Sequence, residues 1–191
     1  MKKLIFIGLL FSFILFSVNA EGFYVDFGAG IGKATTIIDG IDVTQGYDED
    51  SFDIGVELGL KVGYAPFDFP IYFAGVIGAM GYRITDTNID SIQFNSYLFG
   101  PGVIYYPLPF LQIAASAGYS IAVNKMSPQD DLDKNYKGFA WDVSAAYDFG
   151  GSRFYGFMLG ARYFWARNIL EEMEAAQYSS LISVFARYRF R

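Results

Sequence analysis

The sequence predicts an all-β chain closed into an eight-stranded antiparallel transmembrane β-barrel behind a cleaved signal peptide, and three observations carry that prediction. Residues 178–190 alternate: Phe190, Tyr188, Ala186, Val184 and Ile182 fall on one side, Arg189, Arg187, Ser183 and Ser179 on the other. A strand has a period of two, so one face suits hydrocarbon and the other a polar interior, with only Leu181 and Phe185 blurring the division. Residues are 53% hydrophobic and 19% aromatic, yet no run after Val18 is as long as a membrane-spanning helix. Eight such alternating segments, separated by turn signals, follow one another along the chain. A bilayer core offers no water to backbone N–H and C=O groups, so only helices and closed barrels cross it, and this chain offers the second.

Lys2 and Lys3 precede an apolar run from Leu4 to Val18 that closes with Asn19 and Ala20. The run is shorter than the roughly 20 residues of a spanning helix and ends on a small residue, which reads as a secretory signal peptide cleaved after Ala20. The domains are therefore 1–20, signal peptide, and 21–191, barrel. Cleavage leaves 191 − 20 = 171 residues, and loss of Lys2 and Lys3 moves the net charge from −6 to −8. The chain has no cysteine, so strand pairing and burial rather than disulfides stabilise it after export. Its acidic balance argues against nucleic acid as a partner.

In the first segment, residues 22–38, Phe23, Val25, Phe27, Ala29 and Ile31 oppose Tyr24, Asp26, Gly28, Gly30 and Gly32. The second, residues 52–64, alternates strictly, with Ile54, Val56, Leu58, Leu60, Val62 and Tyr64 against Asp53, Gly55, Glu57, Gly59, Lys61 and Gly63. In the third, about 71–85, Tyr72, Val76, Met80, Tyr82 and Ile84 are expected outward and Arg83 inward, although Phe73 and Ile77 make its faces alike. The fourth, about 91–106, contains Gly100, Pro101 and Gly102; proline donates no ladder hydrogen bond, so the facing is expected to switch there. The fifth sets Leu111, Ile113, Ala115 and Tyr119 against Gln112, Ser116 and Ser120, and the sixth sets Phe139, Trp141, Val143 and Tyr147 against Asp142, Ser144 and Asp148. In the seventh, Tyr155, Phe157, Leu159, Tyr163 and Trp165 oppose Gly156, Gly160 and Arg162. The eighth is the segment ending at Phe190, which closes the barrel beside the first and leaves no edge unpaired.

The connections fall into two sets. Residues 65–70, 107–109 and 150–152 are short, whereas 39–51, 86–91, 126–137 and 168–177 are mostly longer and are expected to face the outside. These four loops hold 13 of the 20 carboxylates, against Lys134 and Lys137. A soluble barrel also alternates, but its outer face would carry Lys, Glu, Thr and Gln. Here the polar face is mostly Gly, Ala and Ser, which suits a narrow packed lumen. Tyr64, Tyr82, Tyr119, Tyr147 and Trp165 near strand ends fit interfacial girdles.

With its signal peptide, eight alternating segments and final strand ending on Tyr188 and Phe190, the chain resembles the small eight-stranded outer-membrane barrels. That group includes the OmpX, OmpW and opacity-type proteins and the OmpA membrane domain. Residues 99–106 also resemble a stretch common in such proteins, and the trailing Arg191 departs from their usual terminal aromatic. The resemblance implies the outer membrane of a diderm bacterium. It also implies contact with outer-membrane lipids and lipopolysaccharide-type glycolipids, and with the barrel-assembly machinery through Tyr188 and Phe190.

The chain has no histidine, whereas the enzymes of this architecture resemble one another in needing one, so no catalysis is expected. Asp48, Glu49 and Asp50, and Asp130, Asp131 and Asp133, lack the glycine and distal glutamate of a calcium loop and read as solvated charge; no metal or cofactor site is expected. In the lumen, Asp26, Asp53 and Glu57 are expected to meet Lys61, Arg83, Arg162, Arg187 and Arg189 as ion pairs, the other reading being a charged constriction. Gly28, Gly30, Gly32, Gly55, Gly59 and Gly63 either make room for large residues such as Phe154, Phe164 and Phe185 or leave a channel. The expected function is structural or surface-interacting, through acidic loops that hold an unknown extracellular ligand. The alternative is a narrow pore or small-molecule passage of the OmpW type.

Overall fold

The computed structural model describes residues 22–43, 54–66, 69–84, 92–126, 135–170 and 175–191. Its strands are β1 (Phe23–Ile38), β2 (Ile41–Asp42), β3 (Ile54–Tyr64), β4 (Ile71–Ile84), β5 (Ile92–Leu108), β6 (Leu111–Met126), β7 (Asn135–Asp148), β8 (Tyr155–Leu170) and β9 (Ala175–Phe190). The eight long strands pair antiparallel in chain order, and β9 returns to β1 from Val25↔Phe190 to Ile38↔Gln177, so the sheet is closed. The two-residue β2 folds back on the end of β1. Its turn is Asp39 and Gly40, both at positive φ (50° and 83°), the conformation that a tight hairpin demands and that Asp-Gly supplies.

The register fixes how strongly the strands are staggered. One ladder runs Tyr24, Gly63, Ala74, Gly102, Ser116, Asp142, Phe164, Leu181 and back to β1 at Ala34, a displacement of 34 − 24 = 10 residues per circuit. That exceeds the shear of eight in an eight-stranded parallel barrel, so the strands tilt more and the lumen is wider. A wider lumen needs long side chains to fill it.

The faces follow the alternation on β1, β3, β6, β7, β8 and β9. Phe27, Ile31, Leu58, Ile113, Val143, Ile182 and Val184 are exposed on the outer wall, while Glu57, Asp142, Arg162 and Arg187 are buried inside. β4 reverses the expectation. Tyr72 packs against Tyr24 and Tyr106, and Val76, Met80 and Tyr82 are buried in the lumen, whereas Phe73 and Ile77 are exposed outside and Arg83 is exposed on that outer face. Both faces of β4 are apolar, so hydrophobicity cannot set its orientation; pairing with β3 does, by placing Gly63 opposite Ala74 and Gly59 opposite Gly78 on the inward side. β5 does not switch at Pro101. Phe94, Ser96 and Leu98 before the proline and Gly102, Ile104 and Tyr106 after it are all buried, and Pro101 points outward with its missing donor absorbed by one gap in the β5–β6 ladder.

Along the barrel the interior is layered. Nearest the end carrying both termini, Tyr24, Tyr106, Ile104, Val76, Ala74 and Ala114 form one apolar cluster. Toward the loop-bearing end, Leu98, Phe164, Leu181, Met80, Tyr82 and Phe94 form another. The charged side chains lie between and below them.

Candidate functional site

The lumen charges converge on Glu57. Its Oε1 lies 3.2 Å from Arg187 Nη2 and its Oε2 3.4 Å from Arg162 Nη1, and Ser183 Oγ donates to Oε2 at 2.5 Å. Arg187 reaches on to Asp26, 3.6 Å from Oδ1, and Tyr24 donates to the other Asp26 oxygen at 2.6 Å. Arg162 pairs with Asp142, its Nε 3.0 Å from Oδ2 and its Nη2 closer still, while Ser116 donates to Oδ1 at 2.8 Å. Lys61 Nζ donates to Ser144 Oγ at 3.5 Å. Three carboxylates and three cations thus share one chamber, and none of the six residues is more than 3% exposed. Burying so many charges is tolerated only with compensating partners: Arg162 and Arg187 meet the three carboxylates directly, while Lys61 reaches the Ser144 hydroxyl.

Glycines let the long side chains cross. A Cβ on Gly30 would come within 2.8 Å of Phe185 Cβ and 2.9 Å of Glu57 Cγ, one on Gly59 within 3.1 Å of Arg187 Nη2, and one on Gly78 within 2.5 Å of Arg162 Nη2. The inward glycines therefore accommodate Arg162, Arg187 and Phe185. Arg187 lies 4.1 Å above the Phe185 ring and Arg162 5.2 Å from Phe164, so aromatic faces complete the packing around each guanidinium.

A second station lies at the end with the termini. Arg189 Nε is 2.7 Å from Asp148 Oδ2, and its other nitrogens donate to Arg153 O (2.7 Å) and Gly151 O (3.0 Å). Arg191 lies 4.0 Å over the Tyr106 ring and donates to Pro109 O at 3.2 Å and to Gly151 O. The final residues tie two short turns across the mouth of the barrel.

Of the predicted lumen residues, the structure brings together Asp26, Glu57, Lys61, Arg162 and Arg187 and sets Arg189 apart with Asp148. Arg83 is on the outer wall, Asp53 lies outside the described residues, and Phe154 and Tyr82 exchange roles, the first exposed and the second inward. Sequence reasoning left Asp142 and Asp148 out of the network, although both sit on the polar side of an explicit alternation. Among the described residues no three metal-binding side chains converge, and each lumen carboxylate faces a guanidinium instead. Tyr188 and Phe190 face outward with their ring centroids 5.1 Å apart in an edge-to-face arrangement.

No protein-family model and no curated protein sequence matches the chain. Solved structures do. Ail, the attachment invasion locus protein of Yersinia pestis, is 14% identical with a TM-score of 0.53, over 90% of this chain and all of that one. The same protein in complex with the heparin analogue sucrose octasulfate gives 12% identity and a TM-score of 0.57, over 88% and 99%. Neisserial surface protein A gives 16% and 0.56, over 89% and 97%. Likeness at this identity speaks for architecture, and function must be argued from the site. The chain has the fold of the small eight-stranded outer-membrane barrels.

Proposed function

We propose that this protein is a non-enzymatic barrel of a diderm outer membrane, closed to ions, which holds its acidic loops at the cell surface for interaction. The observation that carries the reading is the neutral cluster of Asp26, Glu57, Asp142, Lys61, Arg162 and Arg187, capped on the loop side by Leu98, Phe164 and Leu181. An ion passing through would have to separate buried pairs and then cross an apolar layer, both of which raise the barrier to permeation. The outer wall supports the placement, since its exposed side chains are mostly apolar, from Phe27 and Leu58 to Val143 and Ile182, with exposed charges such as Arg83 only near the loop-bearing end.

The sequence lacks histidine, and each lumen carboxylate among the described residues faces a guanidinium group, which argues against a carboxylate base for hydrolysis. The loops carry 13 carboxylates, so they favour a cationic partner or one bridged by divalent ions. Ail is solved with a polysulfated sugar; the loop charge of this chain is of the wrong sign for such a ligand. Vesicles loaded with a self-quenching anionic dye test the closed state. Folded protein should leave them as tight as empty vesicles, and release of dye or of small ions would favour the OmpW-type pore instead.

A further inference from the structure

On the loop side of the apolar layer of Leu98, Phe164 and Leu181 the interior turns polar again, yet none of the described inward residues of the eight long strands there is charged. Thr36, Ser120, Asn124, Asn168, Gln177 and Ser179 supply only neutral hydrogen-bonding groups. Four of them form a line. Asn124 Nδ2 donates to Gln177 Oε1 at 2.7 Å, Gln177 Nε2 donates to Ser179 Oγ at 3.1 Å, and Ser179 Oγ lies 3.3 Å from Thr36 Oγ1. The line crosses the barrel from β6 to β9 and β1 without a residue of β7 or β8. Asn168 is left out of it, although it stands beside Gln177 in the β8–β9 register. Asn168 and Ser120 are buried, and Asn168 Nδ2 and Oδ1, Ser120 Oγ and Asn124 Oδ1 have no hydrogen-bond partner among the described residues. Leaving buried polar atoms unpaired is costly, so four of them at one end of the lumen point to a molecule that pairs them. Between Ser120 and Asn168 the ladder passes through Gly138, which adds no side chain. The two backbones are therefore two strand spacings apart, roughly 10 Å, which side chains converging on the barrel axis reduce to the span of a sugar ring.

We propose that Ser120, Asn124 and Asn168 bind a small neutral polyhydroxylated molecule, one or two sugar rings in size, which enters from the loop side. The unpaired atoms select the class. Asn124 Oδ1 and Asn168 Oδ1 accept hydrogen bonds, Asn168 Nδ2 donates, and Ser120 Oγ does either, a mixture that adjacent hydroxyl groups complement. An anion would call for donors alone and a cation for acceptors alone, and neither would find a counter-charge among the described inward side chains of this layer. Leu98, Phe164 and Leu181 lie beneath, so the site holds its ligand without passing it through the barrel. It is also separate from whatever the acidic loops recognise.

The test titrates folded protein in phosphocholine micelles with glucose, galactose, sucrose and myo-inositol, and with cyclohexanol as a ring of like size bearing one hydroxyl. The side-chain amide signals of Asn124 and Asn168 are followed by NMR. At least one polyol should shift both amides saturably and bind about tenfold or more tightly than cyclohexanol. Asn168→Leu, read at Asn124, should weaken that polyol about tenfold or more, yet leave the midpoint of urea unfolding unchanged or higher, because it removes an unpaired buried amide. A merely structural Asn168 would lower the midpoint. Ser120→Ala is a smaller change that should also weaken binding, and it decides the matter if Asn168→Leu does not fold. Absence of a saturable shift with every polyol would overturn the proposal and leave ordered water as the partner of these atoms. So would a polyol that binds both variants as tightly as the wild type, since it would then sit on the loops.

Discussion

Arg187 on β9 reaches past β1 to Glu57 on β3, its Nη2 3.2 Å from Oε1, because the strand between them carries Gly28 and Gly30 where side chains would stand in the way. Glu57 is therefore the acceptor common to Arg162, Arg187 and Ser183. Replacing Glu57 with Ala leaves two buried guanidinium groups short of a counter-charge. The expected loss is about 3–5 kcal/mol, read from urea unfolding in vesicles. A loss under roughly 1 kcal/mol, the range of exposed pairs, would show that water reaches the cluster.

The inward glycines should differ among themselves. Gly30→Ala meets the β-carbon of Phe185 and the stem of Glu57, groups that cannot retreat, and is expected to cost about 1–3 kcal/mol by overpacking. Gly59→Ala meets the flexible tip of Arg187 at 3.1 Å and should be milder. Equal tolerance of both, measured by the same unfolding titration, would indicate an open lumen.

The orientation of β4 is checked by single cysteines, since the chain has none of its own. Phe73→Cys and Ile77→Cys should react with a lipid-soluble maleimide in folded vesicles, whereas Val76→Cys and Met80→Cys should be protected. The opposite pattern would restore the facing that hydrophobicity alone suggested.

The loops should respond to charge. Calcium at millimolar levels is expected to raise the thermal unfolding midpoint modestly by screening like charges, and heparin-like polysulfates should not bind in its absence. Saturable binding of a polysulfated sugar at low salt without divalent ions would contradict the acidic-surface reading.

How much of this was legible depends on which physical signal each residue carried. Phe190 back to Ile182 and Ile54 to Tyr64 gave their faces away because one side is polar or glycine and the other is hydrocarbon-compatible. On β4, Tyr72, Phe73, Val76 and Ile77 are all apolar, so the choice rests on register with β3, a long-range property that no local window contains. Arg83 was misplaced for the same reason. A charge near a strand end can face outward at headgroup depth, and composition does not reveal depth. The pairing of Asp148 with Arg189 and of Asp142 with Arg162 required the closed sheet, although the inward parity of all four residues was readable from alternation. Glycine spacing announced that something large crosses β1; that it is Arg187 meeting Glu57 follows only from the closure of β9 onto β1.

Closure of the lumen by its own charges is tested most directly by single-channel recording on folded protein in a planar bilayer, with folding verified by the shift of the unheated band on a gel. The closed barrel predicts no discrete conductance steps in the wild type. Reproducible steps from demonstrably folded wild-type protein, abolished by substitutions at Glu57 or Arg162, would contradict it and make the same cluster the constriction of a pore.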